Sequence, residues 1–546
     1  MPFRTGPTMH RMRNLSHIPA GVLSACFAAI VLLVALAASA APKAPDALVA
    51  PAAPMTLEAI AGSVAPTASP AASTVSAMAA NDAPRWRPIR TEIPARPVSG
   101  AFGPAVAVTE GRLWIGPARD MDVGDGPPQV TAVGIRAGFG LPSFDPVMVE
   151  HPAAARNAGF GLALAAAQGI CVVGSPHAGC HERRCDSGQV HLVAHDHDGS
   201  WSVDEITCPD ADPASEFGAA VATDGRIIVV GSPRADSPER DSGAVDIFEV
   251  GPPPVHAVTF ITRLRPPAPR MSGRFGAAVA VDSDWIAIGE PGAGETYPRA
   301  GVVHLAHRSA EGWKIESSLR APAGAVGWFG TSVALAGCEL LVGAPIARAV
   351  GSNISCGSVV HLTLKGRTWL QKRIITAPAG IAGDAFGMSV ALRNGWAAVG
   401  APGTDIPTSA ARTVTDDITG EDAGVAWAIE LRSLAMQRLT ARIPRAGDGF
   451  GAGLAFGTAH GRARVGPSEF LAVGHRQDQE RPVEPGSIDL FGYYGPVLGL
   501  LAVSSPPHPV DEQSRSASCI ASAADASVTS AGTHPSDAAR STASTP

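Results

Sequence analysis

The residues with the most chemistry to offer are eight cysteines, a group of histidines, and arginines and carboxylates scattered through polar stretches. Cys180 and Cys185 stand close together, with His177, His181, His191, His195 and His197 around them. Thiolates and imidazoles are the ligands of structural zinc, so the stretch reads either as a zinc site or as a disulfide. His191 weighs against zinc. It lies three residues after a glycine, in a position also held by Asp246, His304, Trp427 and Asp489. A recurring position filled by such different types is a strand-face position rather than a ligand. The preferred reading is a disulfide, Cys180–Cys185 first, with Cys208 as the alternative partner; no metal and no cofactor is expected. No Ser/His/Asp set and no pair of carboxylates recurs at a spacing that would do acid–base or nucleophilic work. No catalytic residue is assigned, and the balance leans away from an enzyme.

What positions these residues is a repeat. Phe-Gly pairs begin at Phe102, Phe160, Phe217, Phe275, Phe329, Phe386 and Phe450, spaced 54 to 64 residues apart. In the first six units a second glycine follows 14 residues after the Phe, at Gly116, Gly174, Gly231, Gly289, Gly343 and Gly400. A fixed internal period of this kind marks a repeat architecture. Within a unit, a short run of small apolar residues leads to a turn such as Asp224-Gly225 or Asn394-Gly395. An apolar run then ends at Gly-x-Pro, and a third run opens after a second glycine. Short β-branched runs bounded by Gly, Pro and Asp are strands, and Asn-Gly or Asp-Gly makes a tight hairpin. A fourth run precedes each Phe-Gly and closes on a proline, as in Trp313 to Pro322 and Trp369 to Pro378. Four short antiparallel strands per unit, repeated seven times, predict an all-β, seven-bladed β-propeller. The run from Trp86 to Pro94 precedes any complete unit, and the last unit stops after its third run at Tyr493. The N-terminal strand is therefore expected to complete the last blade and remove the open sheet edges.

Gly343-Ala344-Pro345 and Gly400-Ala401-Pro402, with the Phe-Gly pairs ahead of them, resemble the FG-GAP repeat family. This is the propeller of integrin α subunits and of many bacterial surface and secreted proteins. Gly174-Ser175-Pro176, Gly231-Ser232-Pro233 and Gly289-Glu290-Pro291 are close variants, and the resemblance spans about 86–494. Integrin-type repeats often carry a calcium loop between the first two strands. Here that place holds turns such as Ala167-Gln168-Gly169 and Asp282-Ser283-Asp284, with fewer carboxylates than calcium needs.

The family's geometry implies that the loops after Gly-x-Pro and those before Phe-Gly share one face, the ligand face of such propellers. The binding candidates on that face are Arg234, Arg240, Arg299, Arg348 and Arg476, together with Asp405, Asp416 and Asp417 of the long loop 403–423. The same geometry sets Cys338 and Cys356 at opposite ends of adjacent strands, so they are not expected to pair.

The rest of the chain frames this domain. Residues 1–40 have a basic start, an apolar run from Gly21 to Ala38 and Ala38-Ser39-Ala40 as a cleavage site. That is the pattern of a signal peptide, with an N-terminal anchor as the other reading. Residues 41–84 form an Ala/Pro/Ser-rich linker, 85–494 the propeller, and 495–546 a Ser/Ala/Thr/Pro-rich tail read as disordered. A net charge of −7 gives no sign of nucleic-acid binding. The expected protein is a monomer, secreted or held in the periplasm or cell envelope. It acts as a binding or adhesion module for a protein or carbohydrate at the cell surface. The alternatives are a polysaccharide-acting propeller enzyme and a structural envelope protein.

Overall fold

The computed structural model describes residues 86–88, 102–109, 111–117, 129–134, 146–152, 158–179, 187–195, 201–209, 213–253, 255–294, 299–348, 354–378, 380–406, 421–441, 444, 446–458, 469–475 and 488–493. The segments read from sequence as signal, linker and tail lie outside them, as do Cys180, Cys185, Asp416, Asp417 and Arg476.

The protein is an all-β propeller of four-stranded antiparallel blades, with no helix among the described residues. These residues form seven such sheets. In chain order they span 102–150, 163–206, 220–264, 278–320, 332–375, 389–439 and 453–493, the last joined by 86–88. They are called blades one to seven below. In the third blade the strands are Ala220–Thr223, Ile227–Ser232, Ala244–Val250 and Val258–Leu264, each paired to the next.

Burial follows sequence. The second strand of a blade is buried along its length and apolar up to its closing glycine, as in Ile227–Ser232 and Trp285–Glu290. The fourth strand alternates, as Gly312–Arg320 does, because only one of its faces meets a neighbour. The apolar clusters lie between blades. One joins Ile247 and Phe275 to Ile286, and another joins Leu113 and Ile115 of the first blade to Phe470 and Leu490 of the last. Strand Trp86–Pro88 pairs with Ile488–Tyr493, setting Trp86 opposite Tyr493. Trp86 is 2% exposed and packs edge-on against Trp396 of the sixth blade. Its backbone nitrogen donates to Gln437 Oε1 at 3.0 Å, and Gln437 Nε2 donates back to its carbonyl at 2.6 Å.

The Phe-Gly signature locks blade to blade. Phe160, Phe217, Phe275, Phe329, Phe386 and Phe450 are all buried. Phe217 N donates to Ser187 O of the preceding blade at 3.0 Å, and Phe275 N to Ser242 O at 2.9 Å. The Gly-x-Pro glycine meets the next blade's Phe-Gly glycine. A Cβ on Gly231 would lie 2.0 Å from the carbonyl oxygen of Gly276.

The hairpins between first and second strands close as their sequence indicates. Asn394 and Gly395 both have positive φ, as do Gln168 and Gly169, which is the two-residue turn that suits twisted strands. Asp224 caps its turn by accepting from Arg226 N at 2.9 Å and Ile227 N at 2.7 Å. These turns also link neighbouring blades, with Gln168 Nε2 donating to Asp224 O and Asn394 Nδ2 to Glu469 Oε1.

Candidate functional site

The face opposite those turns is built from two kinds of loop. One joins the second and third strands of a blade, and the other joins each blade to the next. They are stitched together by backbone bonds. Ser272 N donates to Arg240 O, Arg274 N to Asp241 O, and Trp328 N to Arg299 O, each near 3 Å. The residue before each buried Phe is left-handed: Gly159, Glu216, Arg274, Trp328, Ala385 and Gly449 all have φ between 54° and 67°. This geometry belongs to the repeat. It costs a non-glycine side chain about 1–2 kcal/mol, and in four units a non-glycine residue is held there nonetheless.

The arginines singled out from sequence have different surroundings. Arg234 bridges Glu216 at 2.9 Å and Asp241 at 3.5 Å, and the bond it donates to Glu216 holds its guanidinium pKa above the ordinary value. Arg240 lies 3.6 Å from Asp241. The third-blade rim thus neutralises much of its own charge. Arg299 instead lies over the Trp328 ring, 5.8 Å from its centroid, within cation–π range. Arg348 pairs with Ser355 in an isolated bridge that ties the two described ends of the fifth-blade loop. Asp405 accepts from Asp422 N at 2.9 Å, doing the same for the ends of the long sixth-blade loop.

What charge patterns alone do not reveal is an apolar rim above the fifth blade. Val326, Ile346, Ile354 and Ile381 are exposed by 36, 43, 46 and 60%. They are brought together by the backbone. A Cβ on Gly327 would strike the Ile346 carbonyl, and Gly383 N donates to Ser355 O at 3.1 Å. Met271 and Met388, also exposed, lie on the same face of the neighbouring units. The signal was available in sequence as isoleucine in loops that should be polar.

Beneath the loops runs a layer of buried polar pairs. The position three residues after the blade's third-strand glycine is a strand-face position. There, His304 Nε2 meets Glu290 Oε2 at 2.7 Å, and its Nδ1 meets Ser318 Oγ at 2.8 Å. Asp246 takes a two-pronged bond from Arg263, both arms 2.8 Å. His191 packs on Phe160 and on His151, with ring centroids 4.9 Å apart for the two imidazoles. Burial, and then the His151 charge, push the His191 pKa down to about 4. In the fifth blade His361, one residue beyond that position, pairs with the Glu339 carboxylate at the hairpin end of the second strand.

Cys171 is a buried thiol in its strand. Cys208 keeps its thiol and receives a bond from Arg263 at 3.3 Å. Cys338 is disulfide-bonded while Cys356 keeps its thiol, so these two are not paired. Among the described residues no group of three or more His, Cys, Asp or Glu could hold a metal ion. The first strands neighbour one another around the axis. The carboxylate they carry among described residues is Asp282, which bonds to the backbone of Gly337.

The FG-GAP repeat family's sequence profile matches residues 201–248 and 369–414. These two stretches match FG-GAP repeats. Each matched stretch runs from a blade's outer strand through the next buried Phe and its Gly-x-Pro, at Phe217 with Gly231 and at Phe386 with Gly400. The FG-GAP propeller fits a protein-interaction module. No curated protein matches the chain in sequence. Among the described residues no helix is long and apolar enough to cross a membrane.

Proposed function

We propose that this chain is an exported, monomeric FG-GAP propeller of seven blades that serves as a binding or adhesion module. It recognises a protein or carbohydrate partner at the cell surface through its loop face. The observation that carries this reading is the fifth-blade rim, where four aliphatic side chains stand in solvent beside Arg299 and Arg348. Clustered exposed apolar surface is unusual on a soluble protein and marks contact sites. The pattern of residues 1–40 supports export, to the periplasm, the envelope or outside the cell. A retained anchor would hold it at the membrane behind the 41–84 linker.

The test is capture from envelope and host-surface extracts by the full chain, quantified against two variants. Ile346→Ser with Ile381→Ser alters the loop face, and Gln168→Ala alters the opposite face. A partner lost only with the first supports the proposal. A partner lost only with the second, or hydrolysis of an added polysaccharide without retention, overturns it.

A further inference from the structure

We infer that the fifth-blade rim docks an acidic peptide segment of a protein partner, anchored by bulky apolar side chains; this rests on the loop face being the binding face. Three observations meet at one place. Ile346, Ile354 and Ile381 are exposed on loops whose backbones bond to one another, so the apolar surface is fixed before a partner arrives. Preorganised surface of this kind loses little entropy on binding. Beside it the Arg299 guanidinium lies over the half-buried Trp328 ring. Arginine and tryptophan are the side chains most often found to dominate interfaces.

Charge supplies the third observation. In a chain of net charge −7, the described loop residues of this rim carry Arg299 and Arg348, both exposed. The acid among them, Asp384, is 5% exposed and receives a bond from Ile381 N at 2.7 Å. Among its described loop residues the rim therefore exposes two cations and buries its acid, unlike the third-blade rim, where Glu216 and Asp241 hold Arg234. An acidic segment is attracted, and a basic one repelled. A carbohydrate would need a fan of hydrogen-bond donors and acceptors. The exposed isoleucines offer none, which favours a peptide with apolar side chains.

The experiment pans a phage library of random dodecapeptides on the immobilised full chain. The consensus peptide is then synthesised and its affinity measured by fluorescence anisotropy. Enrichment of Asp and Glu together with Leu, Ile, Phe or Trp is expected. A loss of about tenfold or more is expected in Ile346→Ser/Ile381→Ser, in Arg299→Glu/Arg348→Glu and in Trp328→Gly. The last keeps the backbone, since Gly159 and Gly449 hold the same left-handed position. Arg234→Glu/Arg240→Glu should leave affinity unchanged. Basic consensus peptides, or affinity indifferent to the fifth-blade variants, overturn the inference. If binding instead falls with the Arg234/Arg240 variant, the loop-face reading survives and this inference does not. Binding of anionic oligosaccharides in place of any peptide, lost in Arg348→Glu, overturns the peptide in favour of a glycan. No peptide or oligosaccharide binding sensitive to any loop-face variant overturns both readings.

Discussion

His304 Nε2 lies 2.7 Å from Glu290 Oε2, both side chains buried, in the fourth blade. The seventh blade holds the same pair with acid and imidazole exchanged: His475 stands where Glu290 does, and its Nε2 is 3.1 Å from Asp489, at the position of His304. In the fourth blade the two positions are diagonal neighbours on the second and third strands, His304 standing opposite Ile288 and Glu290 opposite Val302. The fourth and seventh blades therefore hold the pair in opposite orders.

That exchange is testable in one blade. Leaving a buried hydrogen-bonding group without its partner costs about 1–3 kcal/mol. Glu290→His alone and His304→Asp alone should each lower the unfolding midpoint sharply. The double variant, which copies the seventh blade, should recover much of the loss. Additive loss in the double variant would show that the pair is not the unit of stabilisation.

His191 gives a stability that depends on pH. Its folded pKa is about 4, against an ordinary 6.5, because burial and the His151 charge disfavour the cation. Above pH 6.5 the ring is neutral folded and unfolded, and stability is at its full value. As pH falls, the unfolded chain takes the proton first, so stability declines from pH 6.5 to about 4. A shift of this size is worth roughly 3 kcal/mol. His151 shifts in the same direction, through burial opposed by Gln189 and Glu205. Denaturant midpoints at several pH values should show a shallower decline in His191→Phe than in the natural protein. Identical slopes would contradict the assignment.

Closure of the ring rests on Trp86, which touches Trp396, Phe456 and Tyr493. Trp86→Ala should cost about 3–5 kcal/mol. Gln437→Ala, which removes the two bonds to its backbone, should cost about 1 kcal/mol. Thermal melts check both, and a negligible change for Trp86→Ala would refute closure by this strand.

Two glycines in the fifth unit should respond very differently to alanine. At Gly343 a Cβ would lie 2.0 Å from the Gly387 carbonyl oxygen, which is backbone and cannot step aside. Gly343→Ala should prevent folding or nearly so. At Gly366 nothing lies within 4 Å, and only the φ of 62° resists, so Gly366→Ala should cost about 1–2 kcal/mol. Phe329→Ala, which empties the plug between the fourth and fifth blades, should fall between them at about 3–5 kcal/mol. Soluble yield and melting temperature order the three.

The blade pattern was legible because its devices are local. Phe-Gly, Gly-x-Pro and Asn394-Gly395 each dictate geometry within a few residues, and the period repeats it. The rim was less legible because its contacts are not local. Arg234 meets Glu216 across 18 residues, and Arg299 reaches Trp328 only through the loop between blades. A charge count ranks these two arginines alike, whereas their neighbours separate them. Ile346 and Ile381 read as ordinary apolar residues until their exposure is known.

The most direct test of the loop-face account is hydroxyl-radical footprinting of the full chain, alone and with its captured partner. Binding at this face should reduce oxidation of Met271, Trp328, Ile346, Ile354 and Ile381, leaving Phe260 and Leu370 on the outer strands unchanged. Protection confined to those outer strands, or to the turns at Gln168 and Asn394, would contradict it.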